Sequence, residues 1–192
     1  MSKFFYSRYS LLQKLSGMSD RIATVQVLVV LTLLSMLFPT VFFPAAGIGA
    51  DTPLDLYLFY SPDQVNEYLG GLGARGRSAY AKTELTTDLL FPVVYSMALM
   101  VALVMAARRS LPPDSRLQYL RFLPLLIVIA DWGENLCLAV VIDAFPDQPD
   151  AIVTAASLFT SLKWAFLVIV VMTLVTLVAS AVWKHFHKRR CD

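Results

Sequence analysis

Residues 22–43 read IATVQVLVVLTLLSMLFPTVFF, a run of 22 residues without one Asp, Glu, Lys or Arg. A bilayer hydrocarbon core about 30 Å thick needs roughly 20 apolar residues in helical form to cross it. A soluble domain has no place to hide such a run, whereas lipid accepts it. Three more runs of similar length follow, at about 85–107, 122–142 and 155–183. They are interrupted only by Asp88, by Asp131 and Glu134, and by Lys163. Pro39, Pro92 and Pro124 fall in or beside these runs, and membrane helices tolerate proline.

Composition agrees. The chain is 57% hydrophobic with a mean hydropathy of +0.63, and only 16% of its residues are charged, against about 25% in soluble domains. At 192 residues it has length for one domain. The expected fold is all-α, a polytopic four-transmembrane-helix bundle with a helical outer loop over 44–84. A small-residue stretch, PAAGIGA at 44–50, follows the first run as a signal-peptidase site would. The run itself is longer than the roughly 7–15 residues of a signal-peptide core, so it reads as a retained span.

Charge then orients the spans. Lys3, Arg8, Lys14 and Arg21 precede the first; Arg108, Arg109, Arg116 and Arg121 separate the second and third; Lys184, Lys188, Arg189 and Arg190 follow the fourth. Twelve of the 16 basic residues thus fall on one side, which the positive-inside rule makes cytoplasmic for both termini. A cell (inner or plasma) membrane is the expected location. The basic tail with His185 and His187 reads as an anchor for anionic lipid rather than a metal or nucleic-acid site, because two histidines at i, i+2 are too few ligands.

In the outer loop, LDLYLFY at 54–60 is too short to cross a bilayer, and its aromatic content suits the headgroup level. Ser61-Pro62-Asp63-Gln64 reads as a helix start with a Ser cap, Pro at the first helical position and Gln three residues after the cap. That helix is expected to stop at Gly70-Gly71. Residues 71–76 match G-x-G-x-x-G, but the dinucleotide fingerprint needs a preceding strand and a βαβ unit that this chain lacks. Arg75, Arg77 and Tyr80 stand just above the second span, either anchoring to lipid phosphates or forming a lid over the bundle.

The chemistry-bearing candidates are the charges inside the spans, which are costly there and usually face the bundle interior. Asp131, Glu134 and Asn135 share one face of the third helix by i+3 and i+4 spacing. Glu84, Asp88, Phe91 and Tyr95 form a stripe on the second, where Pro92 cannot donate to the Asp88 carbonyl. Lys163 is the only cation within a span. The plain reading is an interhelical polar clamp, worth about 1–2 kcal/mol or less per contact. The functional reading is a binding site of Asp88, Asp131, Glu134, Asn135, Lys163 and Tyr95. Oxygen ligands from Asp88, Asp131 and Glu134 would suit a divalent cation such as Mg, Ca or Mn.

Thiol redox chemistry has no CxxC pair to run on, and neither a Ser-His-Asp set nor an HExxH motif is present. The leading expectation is an ion or a small polar or amphiphilic ligand, a lipid headgroup included, bound in the outer-leaflet half. A non-catalytic subunit or assembly factor, pairing its charges with a membrane partner protein or a second copy, comes next. An intramembrane lipid-modifying enzyme comes third. The bilayer is the one partner implied directly, and nothing points to nucleic acid.

Overall fold

The computed structural model describes residues 16–45 and 53–191, except the side chains of Ala45 and of 188–191. Lys3, Arg8, Lys14 and the glycine-bearing stretch 46–52 lie outside these residues, as do the side chains of Lys188, Arg189, Arg190 and Cys191. The described chain is helical, and no strand occurs among its residues.

A short helix α1 (16–22) leads into a break at 23–24, where the Thr24 side chain accepts from the Val27 N–H and starts α2 (Val25–Leu37). A π-type turn at Phe38–Phe42, containing Pro39, and the short α3 (Phe43–Ala45) complete this span. Next come α4 (Pro62–Glu84), α5 (Thr87–Ser110), α6 (Pro124–Asp143) and α7 (Asp150–Cys191). Four helical stretches are long and apolar enough to cross a membrane. At 42 residues, α7 is about 63 Å long, so it reaches well past a bilayer core.

Burial shows what solvent these helices suit. Val25, Val29, Val30, Leu33 and Met36 on α2 are exposed, as are Val168, Ile169, Met172, Val175 and Val182 on α7. So much contiguous apolar surface would drive aggregation in water and is at ease against lipid tails. The fold is a helical membrane bundle.

Inside, α5, α6 and α7 meet through Leu103, Ala106, Ala107, Ile127, Val170 and Leu177. The α6–α7 contact is close at Gly133: a Cβ there would meet Phe159 ring carbons at 2.8–2.9 Å. α2 lies outside α5, with Val27, Leu28 and Leu31 against Val101 and Val104. At the end where the termini and the α5–α6 connection gather, here the basic end, Asp20 pairs with Arg108 at 3.2 Å and with buried Arg121 at 2.7 Å.

The opposite, loop end is capped by α4, whose Val65, Leu69 and Tyr80 pack on Leu138, Val141, Val153 and Ala156. Its start is the anticipated one: the Ser61 hydroxyl accepts from the Gln64 N–H, and the Gln64 side chain accepts from the Ser61 N–H. Its end is not. The helix passes through Gly70 and Gly71, kinks at Gly73 and ends at Glu84. Gly73 has φ +63°, a left-handed conformation that glycine adopts without a Cβ clash.

The segment 53–60, whose aromatic content suits the headgroup level, runs alongside α7. The Trp164 indole donates to the Asp55 carbonyl at 3.3 Å, the Ser161 hydroxyl to the Leu58 carbonyl at 2.8 Å, and the Tyr60 N–H to the Ser157 hydroxyl at 2.9 Å. Ser157, Ser161 and Trp164 follow i, i+4, i+7 spacing on one face of α7, so they hold the segment over about 10 Å of helix. Leu54 and Tyr60 are buried, while Leu56, Tyr57, Leu58 and Phe59 are exposed.

Candidate functional site

Lys163 sits where this strap, α5, α6 and α7 converge. It projects from the α7 face next to Thr160, and its ammonium is 2.6 Å from Glu134 Oε2, 3.6 Å from Asp131 Oδ2 and 4.0 Å from Asp55 Oδ2. Glu134 is fully buried, and its other oxygen accepts from the Thr160 hydroxyl at 2.5 Å. The Tyr60 and Thr160 hydroxyls are 3.3 Å apart, which ties the strap to the same network. Asp131 accepts from the Tyr95 hydroxyl at 3.2 Å, and Asp88 from the Asn135 amide at 3.0 Å.

The helical phases read from the sequence therefore meet in space: Tyr95, Asp131, Glu134 and Lys163 are linked through Lys163 and Asp131, and the Asp88–Asn135 pair stands beside them. Two carboxyls join them. Glu84, buried one turn before Asp88 in sequence, belongs to the stripe already noted on the second helix but not to the candidate set. Asp55 was hidden from sequence reasoning, because the loop in which it stands gave no sign of descending along α7. A lone Asp within the apolar LDLYLFY was the only signal. Burial pushes the Asp55 carboxyl above its usual range, and Lys163 opposes that shift.

The group is unbalanced. Asp55, Asp131 and Glu134 lie within 4.0 Å of the one ammonium, and the buried Glu84 and Asp88 bring the carboxyl groups of this region to five. A low-dielectric interior does not accept four uncompensated negative charges, so protons or a bound cation must offset the excess. Within the group the Lys163 charge is directed chiefly at Glu134. Asp131 keeps a buried oxygen, Oδ1, with no hydrogen-bond partner among the described residues.

Next to these charges lies a cavity of about 310 Å³, bordered by Asp55, Asp88, Asp131, Lys163 and Tyr95. Leu56, Phe91, Trp164 and Leu167 complete its lining. Phe91 is fixed from behind by the π-type turn and α3, its ring 5.1 Å from that of Phe38 and 5.5 Å from that of Phe43. Pro92 interrupts the hydrogen bonding of the preceding turn of α5, where the Trp132 indole donates to the Leu89 carbonyl at 2.9 Å.

Other candidates fare differently. Among the described residues no group of three His, Cys, Asp or Glu side chains is arranged to hold a metal ion. The ammonium of Lys163 takes the place a divalent cation would have between Asp131 and Glu134, and Asp88 is turned toward Asn135. The lid of Arg75, Arg77 and Tyr80 is not assembled over the cluster. Arg75 is exposed, and Arg77 donates to the Leu69 carbonyl at 3.0 Å with its guanidinium 4.3 Å from the Phe145 ring centre. The Tyr80 side chain is buried in the α4 core beside Tyr68. Amphipathic packing of α4 against α6 and α7 turned these side chains toward their own helix layer.

Because the strap forms one wall of the cavity, its attachment is open to a direct check. Ser157→Ala with Ser161→Ala removes two hydrogen bonds worth about 1 kcal/mol each, so the detached state should rise roughly thirtyfold. Maleimide labelling of a Leu54→Cys reporter, in a chain whose native cysteines are serine, measures this. Unchanged labelling would mean that the Ser157 and Ser161 hydroxyls do not hold the strap.

No protein-family model matches the chain, and neither a curated protein nor a solved structure matches it.

Proposed function

We infer that this chain is a multi-pass protein of the cell membrane that binds a small amphiphile with a cationic head in the carboxyl-lined cavity. The observation that carries the reading is the cavity's mixed lining, in which Asp55, Asp88 and Asp131 stand beside Leu56, Phe91, Trp164 and Leu167. An amine head offers the positive charge that the cluster lacks. The Phe91, Tyr95 and Trp164 rings add faces that attract a cation. At about 310 Å³ the cavity is at the small end of ligand pockets, room for a headgroup and a short apolar length. On the positive-inside rule both termini are cytoplasmic, so the cavity lies in the outer-leaflet half of the bundle.

The test uses the full chain in a neutral maltoside detergent with dodecylamine, dodecanol and dodecanoate as probes. Dodecylamine should be retained at one per chain in native mass spectrometry and should raise the melting temperature, while equal concentrations of the other two should not. Asp131→Asn, close in shape, should weaken dodecylamine binding at least tenfold while the protein stays folded. Equal retention of all three probes, or undiminished binding in Asp131→Asn, would rule out the charge-selective site.

A further inference from the structure

A second groove lies at the basic end, remote from the carboxyl cavity. α2 and α7 both lie against α5 and leave between them a space of about 900 Å³. Its walls are apolar and come from all three helices, among them Leu28, Ala102, Leu174 and Val178. Arg109, Lys184 and His185 border it at one end. The groove is polarised lengthwise, with its cations gathered where α5 ends and hydrocarbon surface along the rest.

Its dimensions and charge point to one occupant. From Leu174 to Lys184 the groove follows ten residues of α7, about 15 Å, which is half of a 30 Å hydrocarbon core. That is the depth of one leaflet. Arg109 stands in the last turn of α5 and forms no ion pair among the described residues. The Lys184 ammonium donates to the Ser110 carbonyl at 2.6 Å, a neutral acceptor that leaves its charge available. Asp20, the acid that approaches this end, is already engaged by Arg108 and Arg121. We propose that this groove binds an anionic glycerophospholipid, with the phosphate between Arg109 and Lys184 and one acyl chain along Ala102, Leu174 and Val178. Basic pockets between membrane helices take anionic headgroups by this charge logic. The Lys/Arg residues that follow in the chain, Lys188 to Arg190, raise the local concentration of the same lipids.

The full chain in neutral detergent is titrated with dioleoylphosphatidylglycerol and, separately, dioleoylphosphatidylcholine, and retained lipid is read by native mass spectrometry. One phosphatidylglycerol per chain is expected, held at least ten times more tightly than phosphatidylcholine. Arg109→Gln with Lys184→Gln should weaken it roughly thirtyfold, the effect of removing two near-surface cations. Val178→Trp fills the groove from an exposed position and leaves every charge in place, so it should also release the lipid without unfolding the chain. Equal binding of both lipids would overturn the proposal. So would lipid binding that survives Val178→Trp, which would mean attraction to the charged surface alone. A doubled mass with no lipid would overturn it too, assigning the groove to a second copy of the chain.

Discussion

Lys163→Met should lower the melting temperature of the detergent-purified protein by about 10 °C. Removing one member of a buried ion pair costs about 3–5 kcal/mol, because the remaining charge keeps its desolvation penalty and loses its partner. For a chain of this size each kcal/mol corresponds to roughly 2–4 °C. The penalty here is not confined to one pair, since Asp131 and Asp55 also lie within 4.0 Å of the ammonium. Adding Glu134→Gln to Lys163→Met should recover half of the loss or more, as the nearest carboxyl no longer needs a cation. Thermal unfolding followed by tryptophan fluorescence reads both. If Lys163→Met were neutral, the ammonium would not be compensating buried charge, and the account of the cluster would fail.

The second large effect is steric. Gly133→Val should cost about 3 kcal/mol, the upper end of what overpacking a close contact costs. Even the Cβ would sit 2.8 Å from Phe159 ring carbons, closer than real contacts allow, so α6 and α7 must separate or the ring must turn out. Separation would also stretch the 2.6 Å contact of Glu134 with Lys163, since these residues flank the crossing on the same two helices. Dodecylamine retention should therefore fall together with the melting temperature. Gly71→Ala is the matched control: a Cβ there meets nothing within 4 Å, and alanine favours helix, so stability should hold or rise slightly. A variant at Gly133 as stable as that control would show that the α6–α7 approach is not tight.

Particular residues show how much was legible before the structure. The spans could be read because an apolar run of some 20 residues has few other homes, and the capping box at Ser61 because it needs only neighbours in sequence. The grouping of Asp131, Glu134 and Asn135 followed from helical phase alone. The position of the break in α4 did not. Several glycines were eligible, and the packing of the two halves of α4 on the bundle selected Gly73. Arg77 looked like a lid because its distance from the second span was visible and its direction was not.

What the sequence by itself determined is whatever acts within one helix: length, apolar character, caps, and which side chains share a face. Only the tertiary structure decided which faces meet, and with them the membership of the site. Asp55 reaches Lys163 across more than a hundred residues, because Ser157, Ser161 and Trp164 bind the backbone of its segment, not its side chains. Such pairing leaves little mark in the sequence of the segment that is held. The excess of carboxyls near one ammonium is likewise a property of how α4, α5, α6, α7 and the 53–60 segment are set against one another. Charge interactions in a low-dielectric interior depend on distances of a few ångströms, and only the packed bundle sets those.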